Sequence, residues 1–315
     1  MKNNSIKIAL VGQPNVGKSM LINSISNARL KVGNFSGVTV TKEQVSLKYK
    51  NFNIEIVDLP GAYSLNDYTL EEKVTKDFLY NEEYDIILNV VDSTNLQRNL
   101  LLTTELLSLD KKIVIALNMD DEAQKESIFI DEKQLSKILG KPCIKTSAAK
   151  KKGITKLLDE IIFKFQNEKT PSKLFYSDAI EEEIANILEV LNENQFLPNQ
   201  SYRQVALNLL KEDKQTYKIF HDEPIWIKLQ PVLNEAFEHL YIHYQTKNMK
   251  DIFSEERFAL VKGIITETLK QNKNSEKTLT EKFDSILIHK IFGLPIFLFL
   301  MWGLFQLTFE LGNIP

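Results

Sequence analysis

Three short stretches of this chain carry residue types at spacings suited to holding a nucleoside triphosphate. The first, GQPNVGKS at 12–19, fits G-x-x-x-x-G-K-[ST] between an apolar run and a helical pattern beginning MLINSI. Gly12 and Gly17 let the backbone fold tightly. The cradle Gly12, Gln13, Pro14, Asn15, Val16 and Gly17 then turns its N–H groups toward phosphate oxygens, helped by the positive end of the following helix. Lys18 is expected to neutralise the β and γ phosphates, and the Ser19 hydroxyl to ligate Mg²⁺. The second stretch, IVDLPG at 56–61, ends a buried run in an acid followed by a flexible turn. Asp58 can hold Mg²⁺ through water, and the Gly61 N–H can reach a γ-phosphate and sense its loss. Asp58, Pro60 and Gly61 as plain turn formers are the competing reading.

The third stretch, ALNMDD at 116–121, bears on the choice of base. Asn118 and Asp121 fit N-x-x-D, in which a carboxylate accepts hydrogen bonds from the guanine N1–H and 2-amino group. Adenine offers neither donor, and a buried carboxylate left unpaired is costly, so such a site rejects ATP. Met119 replaces the usual lysine of N-K-x-D; its thioether chain can cover the base without a charge. In KTSAAKKKG at 145–153, the backbone N–H groups of Ser147 and Ala148 are placed to meet the guanine carbonyl. Between the first two motifs, KVGNFSGVTVTKEQ at 31–44 must supply the residue that closes over Mg²⁺ and the γ-phosphate. Thr39, after Gly37 and Val38, is the candidate, with Thr41 its competitor. A β-branched residue beyond a glycine-rich loop suits a segment that orders with GTP and relaxes with GDP.

Elements of an α/β domain must position these loops. From Lys7 to about Ile162 the runs IKIALVG, NIEIVDLP, YDIILNVVD, KKIVIALNM and PCIKTSA are mostly continuous in hydrophobicity. Strands buried on both faces of a largely parallel sheet read this way. Between them, NLQRNLLLTTELLSLD and DEKQLSKILG have helical spacing, and Gly140 is placed to end the second. After EKTPSK at 168–173 the chain turns helical, with Ile180, Ile184, Ile187, Leu188 and Leu191 on one face. Ser201 and Gln204 stand at capping-box spacing, and amphipathic segments follow at about 224–246 and 254–271. The division expected is a nucleotide-binding domain at 1–170, an all-α domain at 171–272, a polar linker and interfacial helix at 273–290, and a membrane segment at 291–312.

The last of these rests on 19 uncharged residues from Ile291 to Phe309, about the length that crosses a bilayer as a helix. Lys270, Lys273, Lys277, Lys282 and Lys290 precede it, which by the positive-inside bias keeps residues 1–290 cytoplasmic. FDSILIHKIF is expected to lie along the interface. Across 315 residues the net charge is −3, with a pI near 6.0, which gives no electrostatic case for binding nucleic acid. Cys143 is the single cysteine, so no internal disulfide forms. His239 and His243, one helical turn apart, read as an amphipathic face rather than a metal site. Glu310 fits a lipid-headgroup position, and Lys150, Lys151 and Lys152 a solvated face.

The set GQPNVGKS, GNFSGVTV, DLPG, NMDD and TSAAKKKG resembles the G domain of FeoB-type bacterial ferrous iron transporters, in which NM is a habit of the fourth motif. The likeness continues through the helical segment, by position and size, into EKFDSILIHKIFGLPIFLFLMWGLFQLTF. It implies a Ras-like P-loop GTPase domain, a helical GDI-like domain and the start of a multi-pass domain in the bacterial inner membrane. It further implies GTP, GDP and Mg²⁺ as ligands, Fe²⁺ as cargo, a lipid bilayer, a small cytosolic accessory protein and a homo-oligomer as partners. A potassium-assisted mechanism is also implied, with Asn15 binding K⁺ beside the phosphates together with backbone carbonyls mapping onto Gly33 and Phe35. K⁺ there neutralises developing charge as an arginine finger does elsewhere. Asn15 as a loop-shaping hydrogen bonder stays open. Two positions depart from the family: Phe35 stands where tryptophan is common, and Ser36 where proline or alanine is usual. Ala62 follows Gly61 where Ras-like proteins carry a water-orienting glutamine, so slow hydrolysis is expected. A soluble GTPase of ribosome assembly or tRNA modification shares the P-N-x-G-K-S loop and is disfavoured by the acidic balance and the terminal apolar run. A nucleotide sensor with negligible turnover is a third reading.

Overall fold

The computed structural model describes residues 4–25, 29–35, 41–65, 68–109, 111–167, 175–194, 201–271 and 293–311. Its first compact unit, Met1–Gln271, is built on a seven-stranded sheet of order β2-β3-β4-β1-β5-β6-β8. These strands are β1 (Ser5–Gly12), β2 (Arg29–Asn34), β3 (Thr41–Tyr49), β4 (Phe52–Asp58), β5 (Ile86–Asp92), β6 (Ile113–Asn118) and β8 (Cys143–Lys145). β4, β1, β5, β6 and β8 run parallel, and only β3 and β2 at one edge are antiparallel. The continuous apolar runs behave as expected, with every residue of β6 buried. Alternate residues serve opposite faces. Ile8 and Leu10 of β1, with Ile86 and Leu88 of β5, pack under α1 (Lys18–Ile25) and α6 (Ile154–Gln166). Ala9, Val11, Ile87 and Val91 pack on the other face against α2 (Leu70–Asn81), α3 (Leu96–Leu107) and α5 (Glu132–Leu139).

Side chains start and stop several of these helices. Asp131 accepts from the Gln134 N–H at 3.0 Å to cap α5, and Gly140 ends it at φ 63°. Thr69 caps α2 by accepting from the Glu72 N–H at 3.1 Å. The capping box expected at Ser201 does not form: Ser201 stands at the N-cap of α8 (Tyr202–Leu210), but its hydroxyl makes no capping bond.

Helices α7 (Asp178–Asn194), α8, α9 (Lys214–His221), α10 (Trp226–Tyr244) and α11 (Met249–Thr268) form the helical bundle. α11 belongs to two cores. Met249, Ile252 and Phe253 pack in the bundle, whereas Val261 and Ile264 pack in the core under the sheet. The helix expected to run to 271 ends at Thr268, whose carbonyl accepts from the Asp131 N–H at 2.8 Å. The next three residues, Leu269–Gln271, form β9, antiparallel to β7 (Ile128–Ile130). An unpaired edge at β7 favours strand there over helical spacing. His239 pairs through Nδ1 with Glu183 Oε1 at 2.5 Å, and among the described residues no group of three or more His, Cys, Asp or Glu forms a metal site. Cys143 is buried in the core, which pushes its thiol up to about 12.

The second unit, Asn272–Pro315, contains α12 (Gly293–Leu311), whose large apolar side chains such as Leu294, Trp302 and Phe305 are exposed. Among the described residues no helix is long and apolar enough to cross a membrane. The interfacial segment FDSILIHKIF lies outside the described residues.

Candidate functional site

Loops at the carboxyl ends of the parallel strands converge as the sequence motifs require. Gly12 ends β1 so close to β5 that a Cβ there would lie 2.6 Å from the Val90 carbonyl oxygen. Gly17, at φ 85°, leaves no room for a side chain beside Asn118. Asn15 also has positive φ, 66°, a conformation asparagine tolerates better than most residues. Its side chain is exposed. The Gln13 side chain is buried and donates to the Arg98 carbonyl at 2.7 Å, leaving its backbone as the part that can face a phosphate. The Lys18 Nζ reaches back to the Gly12 carbonyl at 3.5 Å; burial lowers its pKa, with Asp58 opposing.

Asp58 ends β4 beside this loop. Its Oδ1 is buried and has no hydrogen-bond partner among the described residues, and its pKa is raised to about 6, mainly by burial, with Lys18 lowering it and Glu43 raising it. Glu43 faces Asp58 in the β3–β4 register, a second acid that is evident only once β3 pairs with β4. An ionisable oxygen stranded this way, within the field of the loop lysine that precedes Ser19, fits a divalent cation. The following segment lies across the phosphate loop. The Ala62 N–H donates to the Gly12 carbonyl at 3.3 Å, and a Cβ on Gly61 would lie 3.0 Å from Pro14. Ala62 itself is buried, so its side chain cannot orient water.

Further along, acids from two helices hold this segment. Glu72 of α2 accepts from the Ser64 N–H and hydroxyl at 3.0 and 3.2 Å, and Glu105 of α3 accepts from the Leu65 N–H at 2.5 Å. Glu105 also forms a buried ion pair with Arg257 of α11. Neither acid belongs to a motif; both look like surface helix positions until the packing is known. Phe35, just past β2, is buried edge-on against Phe78, at 6.1 Å between ring centres, and this aromatic contact anchors the start of the loop between the first two motifs. Gly33 lies in β2 opposite Lys42, and Thr41 opposite Asn34. Gly37, Val38 and Thr39 lie outside the described residues.

At the other end, Asn118 is buried and joins two loops. Its Nδ2 donates to the Val16 carbonyl at 3.0 Å, and its Oδ1 accepts from the Ala148 N–H at 3.1 Å. The Ser147 and Ala148 N–H groups, expected to face a base, both have partners within the chain. Ser147 donates to the Lys152 carbonyl at 3.1 Å, closing the loop on itself, and Ala148 is taken by Asn118. Asp121 stands in the first turn of α4 (Asp120–Lys125), after Met119 at φ 59°. A hydrogen bond with Ser147, and then the Lys150 ammonium at 3.1 Å, hold its carboxyl below the usual range, with burial opposing. Lys150 is exposed, as expected for it, and its ammonium also reaches this carboxylate. Spacing gave no signal of this pairing, since a run of three lysines names none of them.

A phosphate loop after β1, an acid after β4 and an N-x-x-D acid after β6, on a mostly parallel sheet, define a P-loop nucleotide-binding domain of the G-protein kind. Residues 6–161 match the family model for ferrous iron transport protein B, and residues 176–270 match that for the FeoB cytosolic helical domain. The Fe(2+) transporter FeoB of Campylobacter jejuni is 42% identical over 312 residues, covering 98% of this chain and 39% of that protein. The Helicobacter pylori Fe(2+) transporter FeoB is 43% identical over 311 residues, covering 98% and 38%. Among solved structures, a GDP-bound variant of the S. thermophilus FeoB G-domain has a TM-score of 0.75 at 33% identity, covering 84% of this chain and 100% of that one. The chain belongs to the FeoB family of ferrous iron transport proteins, and spans well under half the length of the curated relatives it matches.

Proposed function

We propose that this chain is the nucleotide-responsive part of a bacterial inner-membrane Fe²⁺ transporter: it binds GTP, hydrolyses it slowly to GDP, and passes its nucleotide state to a membrane domain. The observation that carries the nucleotide reading is the buried Asp58 Oδ1, without a partner among the described residues and within the field of Lys18 of the phosphate loop. GDP-bound relatives support guanine as the base. The domains are read as 1–170, 171–272, 273–290 and 291–312, the last a membrane segment resting on the uncharged run from Ile291 to Phe309. Fe²⁺ as cargo, an accessory protein and a homo-oligomer follow from the family alone.

In this reading Gly12, Gln13, Pro14, Asn15, Val16 and Gly17 surround the phosphates, and Lys18 places a positive charge against the β and γ oxygens. Ser19, Asp58 and Thr39 would hold Mg²⁺, which neutralises phosphate charge when bound. Asn15, with the carbonyls of Gly33 and Phe35, would hold K⁺. Gly61, with Gly37 and Val38 just before Thr39, reports the γ-phosphate through backbone N–H groups. Asp121 reads the guanine edge, Met119 covers the ring, and Ser147 orients Asp121; Asn118 and Ala148 fix the surrounding loops. Phosphate release from GTP and ATP under single-turnover conditions tests the enzyme reading. GTP should be turned over in a Mg²⁺-dependent way that Lys18→Ala abolishes, and equal release from ATP would refute it. Uptake of radioactive iron by cells making the whole protein, with and without Asp58→Asn, tests the transport reading.

A further inference from the structure

The first turn of α4 gathers Asp120, Asp121 and Glu122, and the residue before it, Met119, brings no cation to them. The compensating charges come from the other side of the base site. Lys145 Nζ lies 3.5 Å from Asp120 Oδ1, and Lys150 Nζ lies 3.1 Å from Asp121 Oδ2. Lys150 is not on a slack loop. Ser147 and Lys152 exchange two backbone hydrogen bonds at 3.1 and 3.0 Å, and the Lys150 N–H donates to the Ser147 hydroxyl at 3.2 Å. Gly153 closes the loop at φ 76°, where a Cβ would lie 2.2 Å from the Lys145 carbonyl oxygen. The backbone of Lys150 is fixed, so its half-exposed side chain needs little ordering to reach Asp121.

We propose that Lys150 is a positioning residue of the base site, holding the Asp121 carboxylate in place before the nucleotide arrives and supplying the charge that Met119 lacks. The proposal rests on Asp121 being the guanine acceptor. An ionised carboxylate has about four acceptor positions. Lys150 lies against one oxygen, Oδ2, which leaves acceptor positions for the guanine N1–H and 2-amino group. A carboxylate oriented in advance loses less freedom on binding, which slows release of the bound base.

Release of a fluorescent mant-GDP from the full 315-residue chain tests this, comparing the parent with Lys150→Ala, Lys150→Arg, Asp121→Asn and the double variant Lys150→Ala/Asp121→Asn. Lys150→Ala should release it about two- to fivefold faster at low ionic strength, the range of a partly exposed ion pair. Lys150→Arg should behave as the parent. The gap should close as choline chloride is raised, because screening acts on a charge and not on loop shape. Asp121→Asn should release faster still, and adding Lys150→Ala to it should change nothing further. Release from Lys150→Ala that matches or lags the parent, while Asp121→Asn is fast, would overturn the role of Lys150 alone. A parental rate in Asp121→Asn would overturn the base reading, and the role of Lys150 with it.

Discussion

Replacing Asp58 with asparagine separates what this carboxylate costs the fold from what it gives the ligand. A carboxyl with a pKa of about 6 instead of its ordinary 3.8 binds its proton more tightly in the folded chain than in the unfolded one. The folded state therefore gains from protonation, and that gain is complete below 3.8 and lost as pH rises through about 6. At about 1.36 kcal/mol per pH unit, the ionised form costs the ligand-free fold up to about 3 kcal/mol above pH 7. A neutral amide in its place would need no cation, so Asp58→Asn should stabilise the ligand-free chain by about 1–3 kcal/mol at pH 7.5. Urea unfolding of both proteins measures this. The difference should shrink toward zero as pH is lowered to about 4, where the folded parent's carboxyl is protonated. Adding Mg²⁺ and GDP should stabilise the parent and do much less for the variant. A variant that is less stable at pH 7.5, or a difference that does not change with pH, would refute the assignment of Asp58 as a carboxylate awaiting a cation.

Two further outcomes follow from neighbouring features. Hydrolysis in KCl should exceed that in NaCl at equal ionic strength, and Asn15→Gly should remove the difference while preserving GDP affinity, because glycine keeps the positive φ and drops only the amide; identical rates in both salts would sink the K⁺ site. Arg257→Met strands Glu105 in the core beside the Leu65 N–H and should cost about 3–5 kcal/mol in urea unfolding, with part recovered by Glu105→Gln. A loss under about 1 kcal/mol would mean that the pair does not hold α11 to the segment that follows DLPG.

The parts of this site that the sequence made legible are those fixed by local backbone demands. Gly12 and Gly17 are glycines for steric reasons that a motif encodes, and Asp58 and Asp121 sit at or just past strand ends that hydrophobic runs locate. What stayed hidden depends on contacts between segments far apart in sequence. Glu105 and Arg257 lie on two helices, and either reads as a surface charge until both are packed. The last residues of the segment at 254–271 keep helical spacing, yet Leu269–Gln271 form a strand because β7 offers an edge. Lys150 is one lysine of three, and only the closure of its loop singles it out. The uncharged run from Ile291 to Phe309 is visible in the sequence without any packing, since its length and hydrophobicity are local properties, and α12 covers most of it.

The central claim, that this chain is a guanine-nucleotide switch read by Asp121, is tested most directly by calorimetric titration of Mg²⁺ complexes of GTP, ATP and XTP into the parent and Asp121→Asn. The parent should prefer GTP over ATP by about a hundredfold or more, since adenine leaves the carboxylate unpaired. Asp121→Asn should lose affinity for GTP and gain it for XTP, because the amide replaces one acceptor with a donor. Equal affinity of the parent for ATP and GTP, or unchanged GTP affinity in the variant, would contradict the account.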